Sequence, residues 1–257
     1  MRKRYLFFDI DDTLMTGGYV HGYIPESTKK AMTLLRENGH FLAIATGRAH
    51  AMALRIMQAL GFENMVSDGG YGITIENRLL GIRPLNKEHI TALVRECEEK
   101  GFPWGLQVDD SDTRLVPDDS FFRATEDDYL ISKIVPGLRP EAQENIYKMY
   151  VACEAPGEQA LETLKLLPWC RYHKLYFFVE PTYKAVGIRA VMDYFQADYR
   201  DAIVFGDGLN DLSMFTDEWT RVAMGNAVPE LKAKADPITT DVDKDGVWNA
   251  CVQLGLI

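Results

Sequence analysis

Cysteine is scarce in this chain: only Cys97, Cys153, Cys170 and Cys251, widely spaced. With no C-x-x-C pair and no Cys/His cluster at zinc spacing, the sequence argues against a structural zinc site and a disulfide framework, and reduced, mostly buried thiols are expected. Long apolar runs are lacking as well. No stretch approaches the roughly 18 residues of a membrane span, and the basic start "MRKRYLFFDIDDTL" meets Asp9 too early to form a signal-peptide core. A soluble, cytoplasmic protein that binds no membrane is the expectation. Basic charge is in deficit: 28 Lys and Arg against 38 Asp and Glu leave a formal net charge of −10. That balance disfavours a nucleic-acid partner held along its phosphates. The five histidines, His21, His40, His50, His89 and His173, show no metal spacing; His50 sits close to Arg48, yet an ordinary hydrogen-bonded histidine is the favoured reading. No P-loop, G-x-S-x-G elbow, internal repeat or low-complexity segment is present.

What is present is a rhythm. Short apolar runs rich in β-formers, Tyr5 to Asp9, Phe41 to Ala45 and Asn64 to Ser67, alternate with helical periods at about Pro25 to Glu37 and Ala49 to Leu60. That is the βαβ signature of a parallel sheet, with Gly39 and Gly61 where helix C-caps belong. After Gly72, "ITIENRLLG" reads as a hairpin leaving the sheet. The middle differs: a helix at Lys87 to Lys100, extended pieces "WGLQV", "NIYKMYVACE" and "RYHKLYFFVE", and a helix near Gly157 to Leu166. Alternating, aromatic strands of this kind suit an antiparallel sheet covered on one face. The eight acids and two arginines between Asp109 and Asp128 read as a solvated face. From Lys184 the βα rhythm returns: a helix to Phe195, the strand "DAIVFGD", a helix from Leu209, the strand "RVAMG", and closing helices near Val228 to Ala235 and Val247 to Leu254. The expected fold is α/β: a doubly wound parallel-sheet, Rossmann-like core over 1–82 and 183–257, with an inserted α+β cap over 83–182.

Two strands end in acid, "YLFFDID" at Asp9 and Asp11 and "IVFGDGLND" at Asp207 and Asp211. In an open parallel sheet such ends lie on one side, where ligands bind. Carboxylates brought together there repel unless something offsets them, and a hard divalent cation, Mg²⁺ where phosphate is also bound, is the natural candidate. A third strand end, "AIATGR", offers Thr46, Gly47 and Arg48, a hydroxyl, a permissive backbone N–H and a guanidinium suited to phosphate oxygens.

"DIDDTL" at Asp9 to Leu14, "ATGR" at Ala45 to Arg48, Lys184 opening a helix, and "GDGLNDLSM" at Gly206 to Met214 together resemble the haloacid dehalogenase-like hydrolases. Their order and the long insertion resemble the Cof-type branch, class IIB. The resemblance implies a Mg²⁺-dependent phosphatase acting on a small phosphorylated metabolite through an aspartyl-phosphate. Asp9 would be the nucleophile and Asp11 the acid and base. Thr46, Gly47, Arg48, Lys184 and Asn210 would contact phosphate or substrate. Asp9, Asp207 and the Asp11 carbonyl would hold the metal, with Asn210 and Asp211 beside it. Three positions depart from the family pattern: Asp12 replaces a common Gly, Asp68 a common Asn, and "KAVGI" a smaller-residue pattern after the lysine.

Other signals are set aside. "DVDKDGVWNACV" from Asp241 has half an EF-hand loop, but Val252 stands where calcium needs Glu. "GDGLND" ends in Asp rather than the glycine of a dinucleotide fingerprint. "HKLYFFVEP" is read as alternating core residues rather than a base-stacking platform. A phosphomutase, or a phosphate-ligand binder without turnover, stays open, as does the choice between monomer and homodimer.

Overall fold

The computed structural model describes residues 2–17 and 22–257, so His21 lies outside the described residues. The chain forms two compact units, Met1–Arg48 with Ala53–Gly81 and Tyr183–Ile257, and Ala49–Met52 with Ile82–Thr182. Strands in chain order are β1 Tyr5–Phe8, β2 Phe41–Ala45, β3 Asn64–Ser67, β4 Gly72–Ile75, β5 Arg78–Ile82, β6 Trp104–Gln107, β7 Thr113–Val116, β8 Ile131–Ile134, β9 Lys148–Ala152, β10 Trp169–His173, β11 Tyr176–Val179, β12 Ala202–Gly206 and β13 Thr220–Ala223. The principal helices are α1 Glu26–Glu37, α2 His50–Ala59, α3 Lys87–Lys100, α4 Ser120–Thr125, α5 Lys184–Tyr194, α6 Pro229–Lys232 and α7 Gly246–Gln253.

The first unit is a seven-stranded sheet, ordered β13-β12-β1-β2-β3-β4-β5. β1 sits centrally, parallel to both β12 and β2, with Phe8 beside Phe205 and Ile44. Leu6, Phe7, Phe8, Val204 and Phe205 are completely buried, as a parallel strand covered on both faces requires. The apolar run therefore ends where it must, at the strand's C-terminal edge, and hands the chain to Asp9. Gly39 and Gly61 close α1 and α2 at φ of +80° and +67°. The 72–82 hairpin turns at Glu76 and Asn77, both with positive φ, the signature of a two-residue type I′ turn. It does not leave the sheet: β4 pairs antiparallel with β3 and β5 forms the edge. The helix expected near Val228 to Ala235 shortens to Pro229–Lys232 and a 3-10 turn over Leu209–Met214 replaces a full helix, whereas the last helix, α7, has the expected length.

The second unit is a six-stranded, largely antiparallel sheet, β10-β11-β9-β6-β7-β8, in which β7 and β8 run parallel. It is buried on both faces, against the one-face expectation. Met149, Val151, Phe177 and Val179 join one apolar cluster, while Tyr150, Ala152, Tyr176 and Phe178 join another; strand alternation sends successive side chains to opposite sides. "LYFFVE" thus supplies core, as expected. Gly157 to Leu166 is two 3-10 turns, interrupted at Leu161 by extended backbone. The acidic stretch is only partly solvated. Arg114 is fully buried, lies over Phe121 at 4.1 Å and reaches Asp127 at 2.9 Å. Paired charge and ring stacking make that burial tolerable. Asp110 accepts a 2.7 Å hydrogen bond from the Ala51 N–H and lies 2.7 Å from His50 Nδ1, so His50 is a hydrogen-bonded histidine. Cys97, Cys153 and Cys251 are buried and Cys170 is partly so. Among the described residues no helix is long and apolar enough to cross a membrane.

Candidate active site

Three segments far apart in sequence meet at the C-terminal edge of the first unit's sheet. β1 ends at Asp9, whose N–H donates to Phe205 O at 3.0 Å and so ties it to β12. β12 ends at Gly206 and is followed by Asp207. Lys184, the first residue of α5, reaches back to Asp9 Oδ1 at 2.5 Å and Asp211 Oδ1 at 2.6 Å. All three side chains are at most 5% exposed. Asp9, Asp207 and Asp211 can each place one carboxylate oxygen within 4.8 Å of the others.

The electrostatics of this group are unbalanced, since one ammonium faces three carboxylates. Burial, reinforced by Asp211, holds the Asp9 carboxyl well above its ordinary value, with Lys184 acting against the rise. Burial and Asp211 push Asp207 up to about 7, while the Thr13 hydroxyl, donating at 3.0 Å, opposes this. Burial alone would lower the Lys184 ammonium, yet Asp211 and Asp9 outweigh it and hold it above its ordinary range. An all-oxygen donor set with surplus negative charge fits a hard divalent cation.

Asp211 differs from its neighbours. It is fully buried, and its Oδ2 accepts from the N–H groups of Asp207 and Gly208 at 2.9 and 3.1 Å. With Oδ1 on Lys184, both oxygens are engaged by the protein, so Asp211 fixes the 206–208 turn and the lysine. Gly206 is required there: a Cβ would lie 2.6 Å from Asp211 Oδ2. Asn210, partly buried, folds its Oδ1 over Gly208. The Asp11 carboxylate stands outside the buried group: it is half-exposed and held by Arg48 through Nη2 at 2.6 Å and Nε at 3.0 Å. Thr46 is buried, and its Oγ1 accepts from the Arg48 N–H at 3.1 Å; Gly47 lies between them in the same turn. Asp12 is exposed with φ of +54°, and its carbonyl accepts from Asn226 Nδ2. Asp68 is buried, with Ser67 Oγ donating to its Oδ2. Thr13, Ser213, whose hydroxyl accepts from the Lys184 N–H, and Asn226 are site-building residues that sequence reasoning passed over. Thr13 and Ser213 lie inside the quoted motifs, but nothing in the sequence marks them as partners of Asp207 and Lys184.

A pH dependence follows from this charge surplus. The folded-state value of Asp207 lies above its ordinary 3.8, so the folded protein holds more protons than the unfolded one between those values, and stability falls as pH rises through the window. The metal-free protein is therefore expected to melt at a lower temperature at about pH 8 than at about pH 5.5, and Mg²⁺ to raise the midpoint more at the higher pH. Thermal scans with EDTA or Mg²⁺ at both values check it; a larger Mg²⁺ effect at the acid end would contradict the assignment.

A Rossmann-like sheet with clustered carboxylates and a buried lysine at the carboxyl ends of its strands defines a class, the α/β enzymes that handle anionic ligands at that edge. The sequence profile of the haloacid dehalogenase-like hydrolases matches residues 6–251. "Putative phosphatase YkrA" of Bacillus subtilis is 34% identical over 264 aligned residues, covering all of both chains. A hypothetical protein from Geobacillus kaustophilus superposes with a TM-score of 0.85 at 32% identity over the whole of both chains. The subclass IIB sugar phosphatase BT4131 superposes at 0.80 with 26% identity, covering 99% of this chain and 100% of the other. The chain belongs to the haloacid dehalogenase-like hydrolases, in the Cof-type branch, and is a phosphatase.

Proposed function

We propose that this phosphatase is Mg²⁺-dependent and hydrolyses a small phosphorylated metabolite, a sugar phosphate first among them, through an aspartyl-phosphate on Asp9. The observation that carries the proposal is the buried Asp9–Lys184–Asp211 array. Lys184 engages Asp9 Oδ1, which leaves Oδ2 to attack phosphorus. A carboxylate needs no base for this; its difficulty is approaching an anion, and Lys184 with the Thr46–Arg48 turn would offset that repulsion. The Asp9 and Asp207 side chains and the Asp11 carbonyl would hold Mg²⁺, with Asn210 nearby. When bound, the ion supplies charge neutralisation for the phosphoryl oxygens.

In the first half-reaction the Asp9 Oδ2–P bond forms and the P–O bond to the leaving group breaks, the departing oxygen taking a proton from Asp11. In the second, water gives a proton to Asp11 and attacks phosphorus, and the P–Oδ2 bond breaks. Arg48 holds both Asp11 oxygens in the ligand-free protein, so this role requires that pair to open. An incoming phosphate ester offers Arg48 a replacement anion. The likeness to a sugar phosphatase supports the substrate class, as does a net charge of −10 that disfavours polyanions. We place the enzyme in the cytoplasm.

Phosphate release from a panel of sugar phosphates, nucleotides and flavin mononucleotide, with Mg²⁺ or EDTA, tests the proposal. Metal-dependent release supports it. Release that persists in EDTA removes the metal, and release of none shifts the reading to a mutase or a binder. Asp11→Asn is expected to lower turnover of a sugar phosphate by about 10²- to 10⁴-fold. Its loss on an activated aryl phosphate, whose leaving group needs no proton, should be much smaller in the phosphorylation step. Equal losses in single-turnover phospho-enzyme formation on both substrates would defeat the acid role.

A further inference from the structure

The turn after β3, Ser67-Asp68-Gly69-Gly70, touches both halves of the phosphate-handling apparatus through its backbone. On one side, the Asp68 N–H donates to Arg48 O at 2.9 Å and the Gly69 N–H to Thr46 O at 3.1 Å. On the other, Gly69 O accepts from the Tyr183 N–H at 2.9 Å, one residue before Lys184. Gly70 has φ of +108°, and a Cβ built on it would lie 2.4 Å from Tyr183 O and 3.2 Å from Lys184 Cα. The contact is tight from the helix side too: a Cβ on Gly187 would lie 2.9 Å from Gly70 O and 2.4 Å from a Val66 methyl. Two facing glycines let the turn and α5 approach at backbone distance, closer than any side chain permits. Lys184 itself is set by this entry point and by Ser213, which accepts its N–H at 3.0 Å.

We propose that Gly70 is a positioning residue for catalysis: its backbone contact with Tyr183 sets Lys184 against Asp9, and the same turn holds the Thr46–Arg48 loop in register with it. The inference rests on the roles given above to Lys184 and that loop. Asp9 and Asp207 have anchors of their own, the Asp9 N–H on Phe205 O at 3.0 Å and the Thr13 hydroxyl on Asp207 Oδ1 at 3.0 Å, so a push on the turn reaches the lysine before these residues.

The test is Gly70→Ala, compared with Gly39→Ala. Gly39 also has a left-handed φ, but its added Cβ meets nothing within 4 Å, so it carries the backbone strain without the push on Lys184. Gly39→Ala should keep wild-type kcat, whereas Gly70→Ala should lose about 100-fold, the scale of a misplacement of about 1 Å. The half-activating Mg²⁺ concentration should change little. In a Lys184→Ala background Gly70→Ala should cost less than about threefold further, because it acts through the lysine. Gly187→Ala, which pushes the same contact partly through a movable Val66 methyl, should show the same pattern and serves if Gly70→Ala does not fold. A folded Gly70→Ala or Gly187→Ala enzyme with kcat within about threefold of Gly39→Ala overturns the inference, as does a full loss persisting in the Lys184→Ala background. Absence of phosphate release by the wild type would instead count against the proposed function.

Discussion

Asp9→Asn is expected to reduce phosphate release by at least about 10⁴-fold, the scale on which loss of a covalent nucleophile is felt. An amide of nearly the same size has no ionised oxygen to place on phosphorus. The backbone at this position is untouched, since the Asp9 N–H bonds Phe205 O whatever the side chain. The fold should not suffer. Burial and the Asp211 carboxylate make an ionised Asp9 unfavourable, and Lys184 keeps Asp211 as its second partner at 2.6 Å. A neutral side chain relieves the repulsion at the cost of one charge-assisted contact, so the thermal midpoint without metal should stay within a few degrees of wild type. Added Mg²⁺ should stabilise the variant less than the wild type, because one carboxylate ligand is gone. Phosphate release together with melting curves separates the outcomes. Full activity would remove Asp9 as the nucleophile, and a collapsed midpoint would mean the residue is structural first.

The core was legible in sequence because its physics is local. "YLFFDID" carries both the buried strand and its acidic end, and parallel pairing is what brings Asp207 to the same edge as Asp9. Lys184 could be named only from the order of the motifs; its two contacts span 175 and 27 residues and leave no local trace. The paired role of Asp211 was equally hidden. Read as an acid, it resembles another metal ligand, but the turn that delivers it aims two N–H groups at one oxygen. The cap was read less well for a related reason. Arg114 and Asp127 look like surface charge in sequence, and only the folded chain, which sets Arg114 over the Phe121 and Tyr150 rings and against Asp127, shows that an aromatic cluster encloses the pair. The hairpin at Glu76 and Asn77 was recognisable from its turn, whereas its attachment to β3 depends on a sheet edge that sequence periodicity does not reveal.

Lys184→Met should both lower turnover steeply, leaving a small residual rate, and unsettle the fold, and its pH dependence should identify the cause. The ammonium is 1% exposed and lies between Asp9 and Asp211. Replacing it with an apolar side chain of similar length leaves two buried carboxylates facing one another, a defect that costs about 3–5 kcal/mol where one partner of a buried ion pair is removed. Lys184's own value is raised above its ordinary 10.5. Its contribution is therefore complete below that value and is lost only as pH rises through the higher folded-state one, so wild-type stability near neutrality carries no trace of its titration. The variant behaves differently. Without the lysine, the one group that holds it down, the Asp9 carboxyl rises further above its ordinary value, so the folded state binds more protons than the unfolded chain across the acid-to-neutral range. Stability must fall more steeply with rising pH than in the wild type, so the deficit should be small near about pH 5 and largest near about pH 8. Mg²⁺ should recover part of the lost stability by supplying positive charge, but not turnover, because Asp9 would no longer be oriented through Oδ1. Urea denaturation at the two pH values, with Mg²⁺ or EDTA, measures each of these differences. A deficit independent of pH would mean that the lysine stabilises by packing alone, and the charge balance assigned to the site would have to be abandoned.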